Sequence, residues 1–182
     1  MSHQDLADDM KEWPVVRFHQ WMSTLDQDNA PRSINWWLRA RVMPQHRAYD
    51  ENLTPEVRRN WGAVVLSLTE CAERFAGYDR WEVAADDFNL RGLLIRKLGS
   101  VPDDENWELG ALVRSVLAIV TLTPGQASEM AEHWRTLPTD QIHLLRRHKI
   151  VLTPLALLAD QVLAGPEAED VRAWLSIRPS LP

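Results

Sequence analysis

Apolar side chains recur at helical spacing from Trp61 through Val64, Val65, Leu68 and Ala72 to Phe75, so one face of this stretch is built to be buried. Its ends are marked too. Thr54 is a good N-cap, Pro55 takes the first helical position, Glu56 favours the positive end of the helix dipole, and Gly77 stops the helix. The pattern predicts a helix from Thr54 to about Ala76. The Thr-Pro start recurs at Thr123-Pro124, where Gln126 can complete a capping box and a helix is predicted to about Arg135. It recurs again at Thr153-Pro154, predicting a helix over Leu155–Leu163 that Gly165-Pro166 closes. Further helices are predicted over Pro14–Leu25, Pro31–Val42, Asp87–Leu98, Asp104–Val120, Pro138–His148 and Pro166–Leu175. No stretch alternates with period two and a β-branched composition. About nine helices with short loops predict an all-α fold, a compact multi-helix bundle that can divide into two small helical subdomains. The expected division is a flexible N-terminal segment over 1–12, a helical bundle over 13–99 and a second over 100–182, with a seam near Tyr78–Asp87 or Gly99–Asp104.

Composition narrows the classes. A chain of 182 residues can hold one domain with a core or two small ones. No apolar run approaches the length that spans a bilayer, and the opening MSHQDLADDMKEW lacks the basic start and apolar run of a signal peptide. The single cysteine, Cys71, leaves no intrachain disulfide. A cytoplasmic protein without a membrane partner is expected. The net charge of −6 weighs against a purely electrostatic nucleic-acid binder. The charges are unevenly placed, however. Six arginines stand between Arg32 and Arg59 against Asp50, Glu51 and Glu56, and Asn89–Leu98 carries Arg91, Arg96 and Lys97 with no acid. Acids concentrate in Met1–Glu12, Asp79–Asp87 and Asp103–Glu108. Seventeen of the twenty basic residues are arginine, which pairs bidentately with phosphate or carboxylate and stacks on flat rings.

Little in the chain suggests catalysis. Cys71 falls beside an apolar stripe with no histidine nearby in sequence, as a small core residue would. The six histidines include no pair at i, i+4, and neither HExxH nor CxxC occurs. No glycine-rich phosphate loop is present. Asp86-Asp87 and Asp103-Asp104 fall at predicted helix starts, where capping explains them. The chain is expected not to be an enzyme, with no cofactor and no metal site.

The nine tryptophans are unusual. Trp21, Trp61, Trp107, Trp134 and Trp174 lie among apolar residues and read as core, while Trp13 and Trp81 lie nearer helix ends. In SINWWLRARVMPQHR, Ile34, Trp37 and Leu38 share one helix face, and Trp36 points about 100° from Trp37, toward Arg32 and Arg39. Trp36 is therefore expected on an arginine-bearing face. That face could stack on bases and hold phosphates, form a protein contact, or close an internal cation–π pair. Two more basic groups stand beside it: Arg96 and Lys97 outside the Leu90–Leu94–Leu98 stripe, and Arg146, Arg147 and Lys149 at a helix end.

The order of these landmarks resembles the CasB family, the small subunit of type I-E CRISPR surveillance complexes (Cascade), or a related CRISPR small subunit. FHQWMSTLDQDN is similar to that family's aromatic opening helix and Leu-Asp turn, NWWLRAR to a helix ending in arginines, and WGAVVLSLTECAERFA to its apolar helix. NLRGLLIRKLG and LPTDQIHLLRRHKIVLTPLALLADQVL resemble its paired basic residues and its final helices. Gly92 comes two residues late for the pattern, Thr121–Arg135 is extra, and a tryptophan after HKIVLT is absent. The resemblance implies a non-enzymatic all-α subunit that joins the other subunits of a crRNA-guided complex and a second copy of itself. Such a subunit contacts crRNA and target DNA backbone, supporting the guide–target heteroduplex and the displaced strand. Arg39, Arg41, Arg96, Lys97, Arg146, Arg147 and Lys149 would be the phosphate contacts, with Arg32, Trp36 and Arg91 completing the candidate nucleic-acid surface. From the residues alone, the other reading is a helical protein–protein module, such as an immunity, adaptor or regulatory subunit, anchored by Trp36 or Trp81.

Overall fold

A computed structural model describes residues 6 and 8–182. The chain is all-α, with no strand among the described residues. Its helices are α1 (Val15–Ser23), α2 (Ile34–Tyr49), α3 (Pro55–Ala76), α4 (Arg80–Leu98), α5 (Leu109–Ile119), α6 (Pro124–Glu132), α7 (Thr139–Val151), the short α8 (Thr153–Leu157) and α9 (Ala159–Val162), and α10 (Ala168–Ile177). Single 3-10 turns occupy Met10–Glu12, Trp134–Thr136 and Arg178–Ser180. The flexible segment expected over 1–12 lies partly outside the described residues. Within the described part, Met10 is buried in the core.

Two of the three Thr-Pro starts act as caps. Thr54 Oγ1 accepts from the Val57 N–H, and Thr123 forms the full capping box with Gln126. The third also opens a helix, the short α8, but not as a cap. Leu152 precedes it in a right-handed helical conformation, and Thr153 Oγ1 donates back to the Lys149 carbonyl at 3.1 Å. Helix α8 therefore follows α7 after a single turn residue, and the expected Leu155–Leu163 helix is divided between α8 and α9. Helix α2 runs through Pro44 to Tyr49, beyond the expected end at Val42. Proline lacks the N–H that the Ala40 carbonyl would receive, yet burial of Pro44 against the core outweighs that loss. The Arg58 Nε–H donates to the Ala48 carbonyl at 3.0 Å, satisfying one acceptor orphaned at the helix end. Helix α4 starts at Arg80, ahead of the expected Asp87, because Asp79 Oδ1 accepts from the Trp81 N–H at 2.9 Å. Helix α5 starts later than expected. Asp104 instead organises the turns before it, accepting from the Asn106 N–H on its side chain and the Trp107 N–H on its carbonyl.

The chain forms two compact units, the first ending at Asp87 and the second beginning at Phe88, so the division falls inside α4. In the first unit, α2 and α1 pack on α3. Its core is aromatic: Trp13, Phe18, Trp36, Trp37, Trp61 and Phe75 are all buried. In the second, α10 packs against α6 and α8, and α7 against α6. Its core is mostly aliphatic, centred on Leu112, Leu145, Leu155 and Leu158.

Candidate functional site

Three of the ten expected nucleic-acid residues turn inward. Trp36, expected on an arginine-bearing surface, is 8% exposed, with its ring 5.0 Å from Trp37 and 5.7 Å from Trp21. The reason is the longer α2. Once the helix continues to Tyr49, its buried ladder runs Trp36–Ala40–Pro44–Ala48 at four-residue spacing, and Leu38 faces outward. Arg41 is 7% exposed and meets the Asp86 carboxylate at 2.8 Å. Asp86 also accepts from the Tyr78 hydroxyl at 3.0 Å. It lies well inside α4 and so does not cap it, as its place in the sequence suggested. Arg91 is 8% exposed and donates to the Asn106 and Glu105 carbonyls at 2.8 and 2.7 Å. It braces the turns before α5 and is not presented to a ligand.

The other seven face solvent at least in part. Arg32 is exposed and donates to Gln27 Oε1 at 2.7 Å. Arg39 is exposed, 4.0 Å from Asp8. In the second unit Arg96, Lys97, Arg146 and Arg147 are exposed and Lys149 is half-buried. Arg96 Nη1 donates to the Leu157 carbonyl at 3.2 Å, and Lys149 Nζ donates to the Leu181 carbonyl at 2.6 Å. A carbonyl fixes the direction of a cation without cancelling its charge, whereas a carboxylate does both. The second unit has ten basic residues against eleven acidic, the first ten against fifteen. By this count the second unit is the less acidic of the two.

Other titratable groups are structural. Cys71 is half-buried, and burial pushes its thiol away from the reactive thiolate. Burial, then the Asp86 charge beside it, pushes the Tyr78 phenol up to about 12. His148 is fully buried: its Nδ1–H donates to the Leu144 carbonyl at 2.8 Å, and its Nε2 accepts from the Thr121 N–H at 3.2 Å. Trp61, Trp107 and Trp174 are buried as expected, while Trp21 and Trp134 are half-buried. Among the described residues, no three His, Cys, Asp or Glu side chains converge as a metal site would need. Among them also, no single helix is long and apolar enough to cross a membrane. Compared with known proteins, the chain matches no family model, no curated protein and no solved structure.

Proposed function

We propose that the chain is a non-enzymatic, cytoplasmic subunit of a crRNA-guided DNA surveillance complex, holding nucleic-acid backbone through the cations of its second unit. Pairing with the guide would read the sequence, and these cations would support the heteroduplex or the displaced strand. The observation that carries the reading is the carbonyl bracing of Arg96 and Lys149, beside exposed Lys97, Arg146 and Arg147. Arg96 and Lys149 are thereby oriented by groups that carry no opposing charge, in a unit with ten basic and eleven acidic residues. The likeness to the CasB family supports the same reading. Neighbouring subunits would raise the effective concentration of this weakly charged chain on DNA, so high affinity alone is not required.

The test is the double variant Arg96→Glu and Lys97→Glu, returned to its native host and purified by a tag at moderate salt. The expected result is a co-purifying uniform small RNA with several larger proteins, and weakened DNA binding by the assembly of the variant. The slope of log K against log salt should fall by about two, one for each phosphate no longer neutralised. Unchanged binding with an intact fold would sink the assignment of these residues. Recovery of one basic protein and no RNA would sink the guided-complex reading.

A further inference from the structure

The outward face of α2 carries two apolar side chains one turn apart, Leu38 at 38% and Val42 at 51% exposure. Beside them a depression of about 350 Å³ lies between α2 and the Met10–Glu12 turn, with Lys11, Arg39, Val42, Met43, His46 and Arg47 in its walls. A second depression adjoins it across Val42 and His46, toward Tyr49. Val42 thus stands on an apolar ridge between two shallow grooves. The charge of the wall is opposite to that of its unit. Lys11, Arg39 and Arg47 stand there against the single acid Glu12, in a unit with ten basic and fifteen acidic residues. Asp8 pairs with Lys11 at 2.8 Å but is only 4.0 Å from Arg39 at its nearest approach, and both side chains of that second pair are more than half exposed. Water and salt screen such a contact, so Arg39 keeps most of its reach toward a ligand.

An aliphatic ridge with a basic rim complements a helix that sets leucine-like side chains one turn apart between carboxylates. A nucleic-acid backbone would meet the basic rim but has no counterpart for the aliphatic ridge, and Trp36 and Trp37 are both buried, leaving His46 and Tyr49 as the rings in the grooves. We propose that this face of α2 docks an acidic amphipathic helix of a partner protein, with Leu38 and Val42 as the apolar contact and Arg39 and Arg47 as the charged rim. This goes beyond the nucleic-acid reading of the second unit and uses none of its residues.

The probe is a fluorescein-labelled helical peptide as long as α2, 16 residues, with leucines along one stripe and glutamates beside them. A scrambled peptide of the same composition is the control, and both are titrated into the full chain. The amphipathic peptide is expected to bind about tenfold tighter than the scramble, and Val42→Glu to abolish that difference. Because Val42 is exposed, this variant should keep its fold, which circular dichroism checks. The pair Arg39→Glu and Arg47→Glu should lose the glutamate peptide and gain its lysine counterpart. Arg96→Glu with Lys97→Glu should leave peptide binding unchanged, which separates this result from the DNA experiment. Equal binding of the scramble, or insensitivity to Val42→Glu, would overturn the proposal. Preferential binding of a 20-nucleotide oligo-dT, abolished by the Arg39 and Arg47 substitutions, would give the face to nucleic acid instead. Self-association that disappears in Val42→Glu would give it to a second copy.

Discussion

In the unit that ends at Asp87, rings touch rings in an unbroken series. Trp13 meets Phe18 at 5.5 Å and Trp21 at 6.0 Å, Trp21 meets Trp36 and Trp37, and Trp37 stacks on Phe75 at 6.4 Å. The unit that begins at Phe88 has leucines and valines in the same role, and its main ring contact is His148 on Trp174 at 5.7 Å. The cations differ in part as well. In the first unit Arg17 lies over Trp13 at 4.3 Å, Arg74 lies over Phe75 at 4.9 Å, and Arg41 is bound to Asp86. In the second, Arg91, Arg96 and Lys149 donate to backbone carbonyls. An aromatic core offers π-faces on which nearby cations can pack. The division is not complete: Arg58 of the first unit donates to the Ala48 carbonyl, while in the second Arg114 pairs with Glu108 and Glu167 and Arg135 lies over Trp134. The polyanion reading attaches to the second unit because Arg96 and Lys149 meet carbonyls there, while the first presents an aliphatic ridge.

The hardest test of this contrast is Trp37→Ala. Trp37 is fully buried among Trp21, Trp36 and Phe75, and its Nε1–H donates to the Pro31 carbonyl at 2.9 Å. Its loss should cost about 3–5 kcal/mol, read by urea unfolding followed through tryptophan fluorescence. Six of the nine tryptophans precede Asp87, so fluorescence reports mainly the first unit. A loss under about 1 kcal/mol would show that the rings are adjacent without being the support of that unit.

A smaller effect sharpens the account of the second unit. Gly92 sits where α4 meets Pro154: a Cβ there would lie 2.9 Å from Pro154 Cβ and 3.4 Å from its Cα. Neither atom belongs to a flexible side-chain end, so the backbones must part. Gly92→Ala should cost about 1–3 kcal/mol, despite alanine's better helix propensity. Urea unfolding followed by far-UV circular dichroism measures it, and a stabilised variant would refute the close approach. The same contact gives Gly92 a physical role at a position that departs from the CasB-like pattern.

The elements legible in the sequence were those with local signals. Thr54, Thr123 and Gly77 mark helix ends through bonds that reach only a few residues, and the Trp61–Phe75 stripe needs only its own periodicity. The candidate surface was legible only in part. Exposure of Arg96, Lys97, Arg146 and Arg147 follows from their place outside an apolar stripe. Burial of Trp36 depended on α2 passing Pro44, where local propensity and tertiary packing disagree and packing prevails. The Arg41–Asp86 pair spans 45 positions, and Arg91 reaches carbonyls 14 and 15 residues away. No short-range pattern encodes such partners. Asp79 was different: with Glu82 three residues on, it had the spacing of a helix start, and the run of acids around it concealed that signal.

The smallest effect is a slope that only the second unit should show. His148 is held neutral, one ring nitrogen donating to Leu144 and the other accepting from Thr121. Burial lowers its pKa below 6.5, and the hydrogen bond to the Leu144 carbonyl opposes that shift only in part. Protonation would place a second donor where the Thr121 N–H already points. Because the folded pKa lies below the unfolded one, the unfolded chain binds the proton more readily. Stability of the second unit should therefore be full above the unfolded pKa of 6.5 and decline as pH falls from there to the folded value. Below that value it should level off. The slope within the window cannot exceed about 1.4 kcal/mol per pH unit, the limit for one proton. In the first unit His19 and His46 are exposed, and no buried histidine is found there among the described residues. Denaturant unfolding from pH 7.5 to 5, repeated with His148→Leu, separates the cases. The variant starts less stable because Thr121 loses its acceptor, so the readout is the slope and not the baseline. A slope that survives in His148→Leu would mean that another group carries the acid response, and that this imidazole is only a packing element against Trp174.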